Sequence, residues 1–172
     1  MKKISAIVVV VICFICCSFG QNNCDYGGTI DWYYFENIPI FDKPNGAIID
    51  SISNDTINED IIMITIIDSQ KDYFKAILIL DMSEKSVEGW IKKSGYIGTY
   101  ARNYSDKILN LYSMPDKNSN VESIVDIWIP ELYTITDCKE NWVKVELIYL
   151  NKKYTGWLER DMQCPNPYTT CN

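Results

Sequence analysis

The chain has 172 residues and contains no histidine, which excludes several classes of enzyme. Without histidine there is no Ser-His-Asp triad, no Cys-His pair and no histidine-ligated metal centre, so carboxylates, tyrosines, lysines and cysteines are the remaining catalytic candidates. A net charge of −7 repels phosphate backbones and anionic lipid heads, which argues against nucleic acid as a partner. Hydrophobic residues at 47% and aromatic residues at 13% indicate a folded, ring-rich protein.

The first twenty residues have the pattern of a cleaved secretory signal peptide. Lys2 and Lys3 precede an apolar run over residues 4–19, and Ser18-Phe19-Gly20 places small residues before Gln21. The run is shorter than the roughly 20 residues that span a bilayer, so an uncleaved anchor helix is the less favoured alternative. A lipid anchor on a cysteine is another alternative. We therefore expect an exported protein, periplasmic or extracellular, with no membrane span after cleavage.

Cleavage after residue 20 changes the net charge from −7 to −9 and leaves cysteines at positions 24, 138, 164 and 171. An even number of cysteines outside the cytosol suggests two disulfides, and sequence alone does not fix which residues pair. One route bonds Cys138 to Cys164 or Cys171 in the tail, and we lean slightly towards it. The other route pairs Cys164 with Cys171 and leaves Cys24 to reach Cys138.

Four blocks of the mature chain recur in the same order, which indicates an internal repeat. The pairs are IPIFDKP (38–44) with LNLYSMP (109–115), IDSI (49–52) with VESI (121–124), IIDSQKDYFKA (66–76) with ITDCKENWVKV (135–145), and VEGWI (87–91) with YTGWL (154–158). Their offsets of 71, 72, 69 and 67 residues drift only slightly. We predict two tandem units, residues 21–102 and 103–172, joined within the polar stretch 102–106.

The apolar pattern within each unit predicts strands. Val143, Val145 and Leu147 alternate with polar residues, as a half-buried strand requires, and residues 61–67 and 76–80 are aliphatic runs bounded by polar residues. No helix is indicated beyond a single turn around residues 159–162. The fold class is therefore all-β, and about five short strands per unit are typical of a small bent barrel.

Unit two resembles the bacterial SH3-like (SH3b) domain, whose pattern runs L-N-V-R-S-x-P, then W-x-K-V, then G-W-V. The matching segments are LNLYSMP, NWVKV and YTGWL. Unit one is a more divergent copy. The signal peptide, the tandem units and the tail CPNPYTTC together resemble exported proteins of Bacteroidetes-type bacteria. The resemblance implies two small SH3-like β-barrels that bind peptide or glycan ligands without catalysis, and it implies no cofactor.

Aromatic residues are the candidate ligand-groove residues, because grooves of SH3 type stack rings on extended peptides. The strand alternation points Leu111 inward and Tyr112 outward. The candidates are Tyr112, Trp142 and Trp157 in unit two, and Phe41, Tyr73 and Trp90 at the corresponding positions of unit one. The alternative is that the tryptophans close the core, with Trp157 buried beside Val143 and Val145.

No metal site is predicted. Asp116, Asn118 and Asn120 have the spacing of calcium-loop ligands, but Val121 stands where such a loop needs glycine, so a turn is the simpler interpretation. Asn54 and Asn103 match the glycosylation sequon, a pattern that is frequent by chance.

Two functions remain from different classes. The first is a non-catalytic exported module that binds a peptide, glycan or protein of the cell envelope. The alternative is a secreted inhibitor or immunity-type protein that blocks a partner enzyme, a role that suits small, acidic, disulfide-stapled β-proteins.

The export hypothesis predicts that the mature protein begins at Gln21 and is found outside the cytoplasm. Mass measurement of the N-terminus of the purified protein tests it. An intact Met1 or a diacylglycerol adduct on a cysteine would contradict cleavage by a secretory signal peptidase.

Overall fold

The computed structural model describes residues 23–105 and 107–165, and it is all-β as predicted, with no α-helix among those residues. The strands are β1 (Asn23–Ile30), β2 (Ile38–Phe41), β3 (Ile48–Ile52), β4 (Ile62–Gln70), β5 (Tyr73–Leu80), β6 (Ser86–Lys92), β7 (Ile97–Ala101), β8 (Leu109–Tyr112), β9 (Val121–Val125), β10 (Tyr133–Lys139), β11 (Trp142–Tyr149), β12 (Lys152–Leu158) and β13 (Gln163–Cys164). A single 3₁₀ turn at Arg160–Met162 lies where the sequence predicts one.

Several predictions concern residues outside that description. The signal peptide, the mature N-terminus at Gln21 and Cys171 in the tail are among them, so they stay predictions. Within residues 23–105 and 107–165, no helix has the length and apolar character needed to cross a membrane.

The two repeats have the same strand order. The sheet runs β3-β2-β6-β5-β4-β1-β7-β10-β11-β12-β8-β9, and β13 pairs with β7 off this path. Read inward from its two edges, the order is β3-β2-β6-β5-β4 and β9-β8-β12-β11-β10. Each of the strands β2 to β6 therefore has a counterpart in unit two, at the spacing of the repeated sequence blocks. The repeat found in the sequence is therefore also a repeat of topology, with β1 and β7 at its centre.

The expectation of two separate barrels is wrong, because strands of both units belong to one continuous antiparallel sheet. β1 pairs with β4 of unit one and with β7, and β7 pairs in turn with β10 of unit two. Neither β1 nor β7 is evident from the sequence pattern. β1 in particular reads as a loop, because Asn, Asp and two adjacent glycines are poor strand formers.

Gly98 of β7 is paired with β1 on one side and with β10 on the other. Its Cα pairs with Thr29 on one side and with Thr134 on the other. A Cβ built on Gly98 would lie 2.6 Å from the backbone oxygen of Tyr133 and 2.5 Å from Cγ of Leu132, so any side chain here would force the strands apart.

The strand alternation predicted for unit two is confirmed at four positions. Leu109, Leu111, Val143 and Val145 are completely buried in the hydrophobic core, which extends through both units. Trp157 does not join them: it is only half-buried, because it follows Gly156 on the opposite face of β12 from buried Leu158.

A disulfide joins Cys24 in β1 to Cys138 in β10, with the Cα atoms 5.7 Å apart. The preferred route from Cys138 to the tail is therefore wrong, and the alternative partner, Cys24, is correct. The reason is that β1, the first strand of unit one, also lies beside β10 of unit two, which brings Cys24 within reach of Cys138. Cys164 is also disulfide-bonded.

Both sequon asparagines serve as buried anchors for loops. The side-chain amide of Asn54 donates hydrogen bonds to the carbonyl oxygens of Asp31 and Tyr34, at 2.9 and 3.0 Å. The amide of Asn103, which has no exposed surface, donates to the carbonyl oxygen of Ile127 at 2.8 Å. Buried amides with these partners are structural groups and not accessible glycan acceptors.

The crowding at Gly98 predicts that Gly98→Ala lowers the free energy of unfolding by about 1–3 kcal/mol, the usual cost of overpacking. Gly27→Ala is the matched control: it lies in the neighbouring β1, and its nearest contact to a new Cβ is 3.9 Å away. Chemical denaturation should show the control within about 1 kcal/mol of wild type. Equal stability of the two variants would contradict the close approach of the three strands.

The disulfide makes a second prediction. It closes a loop with a sequence separation of 114 residues, so Cys24→Ser together with Cys138→Ser should destabilise the protein by about 2–5 kcal/mol. Denaturant titration measures the loss, and peptide mapping without reductant should recover the peptides of Cys24 and Cys138 linked. A linked pair of Cys138 and a tail cysteine would contradict the structure.

Candidate functional site

The six predicted ring residues form two clusters, one in each unit. The unit-one cluster comprises Phe41, Tyr73 and Trp90. Phe41 in β2 is the Cα partner of Trp90 in β6, and its ring meets that of Tyr73 edge to face, with centroids 5.7 Å apart. Strand pairing therefore brings together three residues that lie up to 49 positions apart in the chain.

The unit-two cluster comprises Tyr112, Trp142 and Trp157 and repeats this arrangement residue for residue. Tyr112 in β8 is the Cα partner of Trp157 in β12, and its ring meets that of Trp142 edge to face at 5.7 Å. The interplanar angles of the two ring pairs are 87° and 85°. Edge-to-face contact at this distance is a favourable geometry for aromatic rings.

The clusters differ in exposure. All three rings of the unit-two cluster are half-buried, as are Phe41 and Trp90. Tyr73 is buried, and its hydroxyl donates a hydrogen bond of 3.2 Å to the side-chain oxygen of Asn45. The unit-two cluster is therefore the more open of the two, and it is the better candidate for contact with a ligand.

A glycine beside each cluster allows the ring-bearing strands to approach closely. Gly156 precedes Trp157 and adopts φ +143, and a Cβ there would lie 2.8 Å from Cβ of Leu111 and 3.0 Å from the carbonyl oxygen of Tyr112. Gly89 has the same role before Trp90, because its Cβ would lie 3.0 Å from the carbonyl oxygen of Phe41. The G-W pair is thus the local sequence signal that places the tryptophan.

An ion pair lies at the rim of the unit-two cluster. Lys117, in the turn between β8 and β9, pairs with Glu159 at the end of β12. The hydrogen bond and the charge of Glu159 raise the pKa of Lys117. In the same turn, Asp116 accepts hydrogen bonds from the backbone and side chain of Asn118, as the turn interpretation expects. Polar groups at the rim of an apolar ring surface can orient a ligand.

A second polar cluster lies where the two units meet. Ser69 of β4 donates a hydrogen bond to Asp137 of β10 and accepts one of 2.9 Å from Lys93, which also forms an ion pair with Asp137 at 3.7 Å. Burial lowers the pKa of Lys93, and the Asp137 carboxylate acts in the opposite direction. The serine hydroxyl and the lysine ammonium both bind the same carboxylate across the boundary between the units. We call Ser69, Lys93 and Asp137 the clasp, because they link unit one to unit two.

The sequence patterns did not reveal a large cleft of about 960 Å³. It lies beside the seam, which is the junction of β1, β7 and β10 between the two units. It lies between the turn after β1, the loop between β9 and β10, and the end of β11, and none of the six ring residues lines it. Its lining residues are far apart in the chain and belong to no repeated block. The only available sequence signal was the aromatic and acidic composition of those loops.

Comparisons with known proteins add no relative: no protein-family model matches the chain, and no curated protein is significantly similar to it.

Proposed function

We propose that the protein is a non-catalytic, exported binding module that recognises a peptide, glycan or protein of the cell envelope. In this proposal each repeat is an SH3-like unit fused to the other through the shared sheet, and the unit-two cluster of Tyr112, Trp142 and Trp157 is the principal contact surface. The unit-one cluster is a second, more closed copy of it.

The observation that carries the proposal is the equivalence of the two clusters. The core beneath them is already closed by aliphatic side chains, since Ile40, Ile91, Leu111 and Leu158 are completely buried. The three half-buried rings of the unit-two cluster therefore lie outside this completely buried layer. Partly accessible rings placed at equivalent positions of two divergent repeats, three of them in the unit-two cluster, suit stacking on sugar rings or on an extended peptide.

The proposal predicts that Tyr112→Ala with Trp142→Ala abolishes retention on envelope material. The measurement is co-sedimentation of the mature protein with insoluble wall material, together with capture from solubilised envelope protein. The thermal midpoint should fall by several degrees while the fold persists, because the two rings are half-buried and lie outside the completely buried core. Trp142→Tyr, which installs the unit-one residue at the equivalent position, should keep part of the retention.

Two outcomes would contradict this proposal. Unchanged retention in the double variant would show that the unit-two cluster does not bind the envelope material. Unfolding of the double variant, with full retention in Trp142→Tyr and Tyr112→Phe, would show that the rings serve the core. If the captured partner is an enzyme whose activity falls stoichiometrically with added protein, the inhibitor function replaces the binding-module function.

A further inference from the structure

The large cleft beside the seam is a second candidate site, separate from the aromatic clusters. Its volume of about 960 Å³ is at the upper end of what small-ligand sites usually have, which leaves room for several residues of an extended peptide. The turn after β1 forms one rim with Asp31 and Tyr33. The loop between β9 and β10 forms another with Trp128 and Glu131.

The charged side chains that line the cleft are all acidic. They are Asp31, Glu131 and Glu146, and no lysine or arginine is among the described residues that line it. Glu146 is paired with Lys153 at 2.8 Å on the surface. Within residues 23–105 and 107–165, neither Asp31 nor Glu131 forms a salt bridge, so both carboxylates remain available to a cation. The cleft therefore attracts positive charge and repels phosphate or carboxylate ligands.

Large apolar side chains stand exposed beside these carboxylates. The exposed fractions are 75% for Tyr33, 43% for Trp128 and 81% for Leu150. Tyrosine and tryptophan faces attract guanidinium and ammonium groups, and the methylene stems of arginine and lysine pack on apolar surface. Rings and carboxylates together fit a long cationic side chain better than they fit a neutral ligand.

Both rims are held in place by buried groups. Asn54 fixes the turn that carries Tyr33, and the carboxylate of Asp31 accepts the backbone N–H of Tyr33 at 2.9 Å. In the other rim, Asn103 holds Ile127, and Ile129 is completely buried, which leaves its neighbours at the surface. A cleft whose rims are fixed before binding loses less conformational entropy when a ligand enters.

We propose that this cleft binds an arginine- or lysine-bearing peptide segment of a partner protein, with Asp31 and Glu131 contacting its cationic groups and Tyr33 stacking on one of them. This site is independent of the unit-two cluster.

Titration calorimetry with a hexa-arginine peptide tests the proposal, with hexa-citrulline as the neutral isostere. Asp31→Asn together with Glu131→Gln should weaken binding by about tenfold or more, and asparagine can still accept the Tyr33 N–H. Glu122→Gln, an exposed carboxylate of β9 outside the cleft, should change affinity less than about twofold. Tyr33→Leu should weaken binding several-fold, and Phe35→Leu, 58% exposed and outside the cleft, should not.

Four results would overturn the proposal: no binding of hexa-arginine, equal binding of hexa-citrulline, an equal loss in Glu122→Gln, or preferential binding of a neutral oligosaccharide. An equal loss in Glu122→Gln would mean that only the net charge attracts the peptide. The double variant of Tyr112 and Trp142 should bind hexa-arginine normally, so failure of the envelope-binding function and failure of this site are distinguishable.

Discussion

The pairing of β7 is the constraint on which the rest of the structure depends. This strand of five residues bonds to β1, β10 and β13, so the N-terminal strand, unit two and the strand before the tail all meet on it. Gly98 makes that meeting possible, because its missing side chain lets the neighbouring strands approach. The disulfide from Cys24 to Cys138 and the clasp of Ser69, Lys93 and Asp137 reinforce the same seam.

The molecule has two kinds of candidate binding surface, the aromatic clusters and the acidic cleft. The strands that repeat carry the aromatic clusters, on β2, β5 and β6 and on the corresponding strands β8, β11 and β12 of unit two. The turn after β1 and the loop between β9 and β10, which do not repeat, form the acidic cleft beside the seam together with the end of β11. The repeat therefore supplies the aromatic clusters, whereas the cleft combines non-repeated segments with one repeated strand.

The sequence predicts what is periodic and repeated. Alternation places Leu111 and Val145 in the core, and the resemblance to SH3 grooves groups Tyr112, Trp142 and Trp157, whose strands are neighbours in the sheet. It does not predict β1, because Gly, Asn and Asp are poor strand formers, and the buried Tyr26 and Ile30 of this strand follow no clear alternation. Without β1, the sequence could not decide between Cys24 and the tail as the partner of Cys138, and it could not predict the continuous sheet or the cleft.

One continuous sheet also fixes the spacing of the two aromatic clusters. Separate barrels on a flexible joint could each adjust to a ligand, whereas strands bonded from β3 to β9 leave no hinge between the clusters. A polymer that contacts both clusters at once must present its binding groups at that fixed distance. A ligand with the right repeat gains a high effective concentration at the second cluster, and one with the wrong repeat gains nothing. In the proposed binding function, the sheet would thus select ligands by the spacing of their repeat.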